Sequence, residues 1–304
     1  MKIALLASVL VLASCSPADD GAQPQSTAPV PGQPLVVAAV NAPLASFARH
    51  IGGDAVEVVL PSLPGDPIYW NPPVEVILEF QAADLIVRNG VGYAGWVDRA
   101  SLPVSRMVDT TAAHRDALLT IDEQVTHVHG PDGEHTHDAT AFTTWLDLAL
   151  AVEQARAILD ALVERRPSHA DAMHDRFLAL EMRLLALDER LAAAVAEAPD
   201  RPLLASHPVY QYLAERYDLD LHSVHWEPGE DPGEDEWHAL QGLLLEHPAR
   251  WMLWEGPPDP ASVDRLASLG VQSLVFDPGA NPSDGEDFVD LMTRNVAAFE
   301  TMGE

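Results

Sequence analysis

Leu35-Val36-Val37-Ala38-Ala39-Val40-Asn41-Ala42-Pro43 opens with an unbroken apolar run and then turns polar at an asparagine shortly before a proline. A short apolar run without alternation fits a strand buried on both faces, as in a parallel sheet. Asn41-Ala42-Pro43 then opens a helix to His50, with the proline where its missing amide is harmless. Working outward, Ala55 to Leu60 reads as a second strand and Val74 to Ala82 as a helix. Asp84 to Arg88 is a third strand ending at Asn89-Gly90, and Ser105 to Val108 a fourth. This rhythm predicts a parallel sheet covered by helices on both faces.

Further on the texture changes. Thr144 to Arg166 and Ser168 to Val195 are rich in Ala, Leu, Glu and Arg and read as helices separated at Pro167. Phe177, Leu180, Leu184, Leu187 and Leu191 form one apolar stripe in the second. From Pro167 to Ala196 the helix would reach about 45 Å at the helical rise, enough to link two lobes. Alternation then resumes, with strands at Pro202–Ser206, Leu219–Trp226, Arg250–Trp254 and Val271–Phe276. The intervening helices are Val209–Tyr217, Glu234–Glu246 and Pro260–Leu269, and Glu286–Glu300 closes the chain. The expected fold is α/β: two parallel-sheet α/β lobes joined by a long rigid linking helix, with a ligand cleft between them. The lobes share no repeat in sequence.

The start of the chain reads differently. Met1-Lys2, the apolar run Ile3 to Ala13 and Leu12-Ala13-Ser14-Cys15 have the form of a secretory signal with a lipoprotein cleavage box, or of a plain signal with an incidental thiol. The apolar run is too short to span a bilayer as a helix. Cys15 is the only cysteine, so no intrachain disulfide and no cysteine-based zinc site can form. The expected organisation is a signal peptide over 1–14, then a lipidated Cys15 with a disordered tether over 15–34. The first lobe occupies 35–143, the helical pair and linking helix 144–199, and the second lobe 200–304. A formal charge of −30 excludes nucleic acid as a partner; it serves solubility or collects cations.

The densest chemistry is His127-Val128-His129-Gly130-Pro131-Asp132-Gly133-Glu134-His135-Thr136-His137-Asp138. Imidazoles and carboxylates at this density suit zinc or a similar divalent metal, although a solvated acidic loop has the same composition. In an open parallel sheet, ligands bind beyond the carboxyl ends of the strands. There the second lobe offers His207, Glu255 and Asp277, each just past a strand. No nucleophile–base arrangement, phosphate loop or spaced carboxylate pair stands out, so the chain is not read as an enzyme.

Several motifs resemble the zinc/manganese solute-binding proteins of ABC importers, the cluster A-I family. They are Asp66-Pro67 with Tyr69 and Pro72, and Ala83-Asp84-Leu85-Ile86-Val87-Arg88-Asn89-Gly90 with Trp96. Trp145-Leu146-Asp147, Ser206-His207-Pro208 with Tyr212 and Tyr217, and Phe276-Asp277-Pro278 complete the set. The resemblance runs from Leu35 to the C-terminus and implies metal bound between the lobes. It carries two ligands onto His207 and Asp277. The family's other two histidines fall on Ile68 and Thr143, where isoleucine cannot ligate and threonine is a poor zinc ligand.

Three readings of that departure stand open. Loop histidines, His135 or His137 foremost with His127 and His129 beside them, fold in as ligands. Alternatively His222 or His225 contributes. Or the cleft holds a non-metal ligand among Tyr69, Trp70, Tyr93 and Trp96, unless these are ordinary hinge packing. By the resemblance, the expected protein is a monomeric, extracytoplasmic, lipid-anchored component that captures Zn2+ and passes it to an ABC permease. Because imidazoles ligate only when neutral, capture should weaken as pH falls below about 6.5. The alternative is a divergent scaffold that lost its cleft site and acts as a membrane-tethered metal buffer or accessory protein, or binds a non-metal ligand.

Overall fold

The computed structural model describes residues 33–62, 70–121, 139–197, 201–226, 231–280 and 286–303. Cys15, Ile68, Tyr69 and the histidine-rich stretch 127–138 lie outside them. No helix among the described residues is long and apolar enough to cross a membrane.

The first sheet contains β1 (Leu35–Ala39), β2 (Val56–Val59), β3 (Leu85–Arg88) and β4 (Met107–Asp109), all parallel, in the order β2-β1-β3-β4. β1 is central, which is why its residues are apolar on both faces. Helix α1 (Ala42–Gly52) follows it. The Asn41 side chain accepts from the Leu44 amide at the helix start, and Arg49 and His50 lie at the negative end of the dipole. α2 (Val74–Ala82) and the four-residue α3 (Trp96–Arg99) complete this part.

The second sheet has β7 (Leu203–Ala205), β8 (Leu221–Ser223), β9 (Trp251–Trp254) and β10 (Gln272–Val275), again all parallel, in the order β10-β9-β7-β8. Read from the other edge, this is the same topology as the first sheet, so the lobes repeat in architecture without repeating in sequence. Its helices are α6 (Gln211–Tyr217), α7 (Glu234–Glu246), α8 (Pro260–Ser268) and α9 (Phe288–Glu300). Side-chain alternation splits its core. Leu203, Ala205 and Leu253 belong to the main core shared with the first lobe, while Leu204, Met252 and Trp254 pack with Trp226, Trp237 and Leu266 on the other face.

The helices α4 (Leu148–Arg165) and α5 (Ala170–Ala196) form the antiparallel pair. At 27 residues, α5 is about 40 Å long. Met173, Phe177, Leu180, Leu184, Leu187 and Leu191 are its buried stripe. It packs on α4, on α1 of the first lobe and on α9 of the second. Polar contacts fix it to the second lobe as well. Asp188 receives Arg216 through two bonds (3.0 and 2.6 Å) and the Tyr217 hydroxyl at 2.8 Å. The Arg190 guanidinium grips Glu300 at 3.0 and 2.8 Å.

Several elements differ from expectation. Thr144–Leu146 is a 3-10 turn, because the Asp147 carboxylate caps α4 by accepting from the Ala149 and Leu150 amides. The strand expected over Leu219–Trp226 is only Leu221–Ser223. A two-stranded antiparallel pair, β5 (Thr120–Ile121) with β6 (Ala139–Thr140), was not foreseen. It joins the two ends of the stretch that holds the four loop histidines.

Candidate metal centre

In each sheet, consecutive connections leave the starting strand in opposite directions, which creates a switch point between β1 and β3 and between β7 and β9. Crevices of this kind, at the carboxyl ends of strands, are where open α/β sheets bind ligands. His207 follows β7 and Glu255 follows β9, so they flank the second switch point. The Ala205↔Leu253 register, continued two residues, sets them abreast. Their side chains meet, with His207 Nδ1 2.9 Å from Glu255 Oε1. The distance is that of an ion pair when the ring is protonated, and the contact does not meet hydrogen-bond geometry.

Asp277 follows β10, the next strand along. Its Oδ1 accepts from the Gly279 amide at 2.8 Å, and Asn295 holds its backbone on both sides. Burial pushes the Asp277 carboxyl up; the Gly279 amide and Arg294 oppose this, while Glu255 and Glu286 add to it. Fully buried Tyr210 lies beside both carboxylates, donates its hydroxyl to the Phe276 carbonyl at 2.7 Å, and is pushed well up by burial, then by Glu255 and Asp277. Nitrogen and oxygen donors thus share one sheet edge, a set suited to a borderline divalent metal. Among the described residues, no three His, Cys, Asp or Glu side chains converge as a ready metal site.

The first lobe explains why. Thr143, 2% exposed, donates its hydroxyl to the Val209 carbonyl at 2.5 Å. It is a latch to the strand exit of His207 and not a side chain turned toward a ligand. Its neighbours alternate in the same way. Ala141 O accepts from Tyr212, and the Trp145 indole donates to Pro278 O at 2.7 Å; both partners belong to the second lobe. Phe142 O accepts from the Asn89 amide, and the Thr144 hydroxyl donates to Asn89 Oδ1, both within the first lobe. Residues 141–145 therefore form a strap whose odd positions hold the second lobe and whose even positions hold the first.

The Asn89-Gly90 motif serves this strap. Fully buried Asn89 also receives Gln154, while Gly90 turns at φ +77° where a Cβ would collide with Asp109 and Thr111. Trp145-Leu146-Asp147 is likewise structural, with an interlobe bond and a helix cap.

The remaining sequence candidates separate. His222 sits within β8, exposed, with its ring 4.9 Å from that of His247, so it is not at the strand exit. His225 follows β8 at the same sheet edge as His207 and is exposed. Of the four aromatic candidates, Trp70, Tyr93 and Trp96 lie among the described residues. Trp96, 3% exposed, packs edge-on to Phe80 and Trp70, and Tyr93 packs edge-on to Trp145. These rings pack against one another and bury area, as the hinge-packing alternative expects. Tyr69, Ile68, His127, His129, His135, His137 and Cys15 lie outside the described residues.

A family model described as "ZnuA: Zinc-uptake complex component A periplasmic" matches residues 36–302. The chain belongs to this family. It is a family of uptake-complex components and not of enzymes. Among similar ZnuA-type proteins, the high-affinity zinc uptake system protein ZnuA of Bacillus subtilis is 24% identical, with 97% of this chain and 95% of that protein covered. The manganese-binding lipoprotein MntA of Halalkalibacterium halodurans is 25% identical over the same shares. The zinc-binding lipoprotein AdcA of Streptococcus pneumoniae is 23% identical over 85% of the chain, which spans about half (54%) of AdcA's length. Among solved structures, the metal-dependent lipoprotein YcdH of Bacillus subtilis superposes with a TM-score of 0.74 at 22% identity, covering 88% of this chain and 98% of that one. That likeness establishes the ZnuA-like fold: two parallel-sheet lobes with a long connecting helix.

Proposed function

We propose that this protein is an extracytoplasmic, lipid-anchored solute-binding protein that captures a divalent transition metal and passes it to an ABC permease. Zinc is the first expected cargo. The observation that carries the reading is the alignment of His207 and Asp277, with Glu255 between their strands, along the carboxyl edge of the second sheet. His207 and Asp277 would be the resident ligands, and Cys15 would carry the anchor.

The latch at Thr143 supports a contribution from the loop. With that hydroxyl bound to Val209, the first lobe offers no ligand at this position. The β5–β6 pair brings the ends of residues 122–138 to within three residues of Thr143, whose partner Val209 is two residues from His207. Tyr212 of the second lobe reinforces that root, its hydroxyl accepting from the Leu119 amide and donating to Ala141 O. A segment of seventeen residues (122 to 138 inclusive) held at its two ends has a maximum reach of about 29 Å, at about 3.4 Å per residue over half its number. His135 and His137, nearest the end that leads to Thr143, are the proposed completing ligands, with His127 and His129 able to collect metal.

Deletion of residues 127–138 tests this. Zinc affinity should fall by about 10- to 100-fold while one equivalent still binds through the cleft, as measured by competition with a chromophoric chelator. Loss of all zinc binding would instead identify a metal buffer that uses only the loop. An unchanged affinity would remove the loop from the site.

A further inference from the structure

Glu255 and His207 leave the two strands that flank the switch point and meet at 2.9 Å, with 15% and 19% of the His207 and Glu255 side chains exposed. A carboxylate facing Nδ1 favours the neutral tautomer protonated there and leaves the Nε2 lone pair as the ring's ligating site. Tyr210 and Asp277, which both feel the Glu255 charge, are committed elsewhere. Tyr210 donates to Phe276 O, and Asp277 Oδ1 accepts from the Gly279 amide. His207 Nδ1, by contrast, lies 2.9 Å from Glu255 Oε1. Poorly aligned pairs of this kind commonly tighten into hydrogen bonds when a ligand arrives.

We propose that Glu255 is a positioning residue for metal capture, fixing the tautomer and orientation of the His207 ring without ligating the metal itself. This rests on the reading of His207 as a capturing imidazole. The carboxylate also increases the basicity of the ring, which strengthens an Nε2–metal bond.

The test combines ring nitrogen NMR of His207 in chelator-treated full-length protein with zinc affinities of wild type, Glu255→Ala, His207→Ala and the double variant. Wild type should show Nδ1-protonated His207, and Glu255→Ala should shift the population toward Nε2-protonated. Glu255→Ala should lower zinc affinity about 10- to 100-fold in the wild-type background and leave it nearly unchanged when His207 is already alanine. Glu255→Gln, which keeps the shape and an acceptor oxygen, should fall between and guards against misfolding of the alanine variant. An equal loss in both backgrounds, or an unmoved tautomer, overturns the proposal. If His207→Ala leaves affinity intact, the capture reading fails and takes the positioning role with it. The tautomer measurement, which involves no metal, reports separately on the contact.

Discussion

Thr143→Val tests whether the strap is a latch or a remnant of the metal site. Valine keeps the shape of threonine and replaces its hydroxyl with a methyl. At 2% exposure, the lost bond leaves the Val209 carbonyl without its donor and without water. An orphaned buried carbonyl costs about 1–3 kcal/mol. For a body of this size that lowers the thermal midpoint by about 2–4 °C per kcal/mol, measurable by calorimetry in chelator. Thr143→Ser retains the hydroxyl and loses one methyl, so it should cost only about 0.8 kcal/mol. Zinc affinity should be nearly the same in all three proteins. Thr143→Val with an unchanged midpoint but a tenfold weaker zinc affinity, about 1.4 kcal/mol, would make Thr143 a ligand and refute the latch.

Other contacts give sharper sign tests. Burial pushes the Asp287 carboxyl up, but hydrogen bonds from His50 and Ser46 outweigh it and hold it at about 2 against an ordinary 3.8. Its stabilisation, about 2 kcal/mol from that gap, is complete above the unfolded value and lost as pH falls through about 2. The urea-stability difference between wild type and Asp287→Asn should therefore shrink between pH 4 and pH 2. Arg216→Ala removes both bonds to the buried Asp188, which keeps the Tyr217 hydroxyl, and should cost about 1–2 kcal/mol given the partly exposed arginine side chain, with Arg216→Lys recovering only part because lysine lacks the fork. Gly90→Ala should cost at least about 2 kcal/mol, from the left-handed backbone and the collision with Asp109 and Thr111.

Much of the fold was legible because its signals are local. The β1 run, the Asn41 cap, and the helices Val74–Ala82 and Glu234–Glu246 all follow from residues close in sequence. Strand order was not legible, since it depends on pairings between distant segments, and β5–β6 has too few residues to leave a period. At the candidate site, strand exits singled out His207, Glu255 and Asp277, which the sheet order places just past the adjacent strands β7, β9 and β10. The closeness of His207 to Glu255 follows only from the β7–β9 register. Asn89 and Trp145 looked like marks of a metal-binding family and Thr143 like a lost ligand position, yet each is committed to a long-range hydrogen bond that no local pattern announces. Trp96, read either as cleft lining or as hinge packing, is buried against Phe80 and Trp70, because aromatic residues after strands fill cores as readily as they line clefts.

The central claim is that metal is captured at the carboxyl edge of the second sheet, and zinc calorimetry at neutral pH on wild type and His207→Ala tests it most directly. The account predicts one tight site in wild type that weakens by at least about tenfold in the variant, the folded state being otherwise intact. Zinc binding of equal affinity in the two proteins would contradict it.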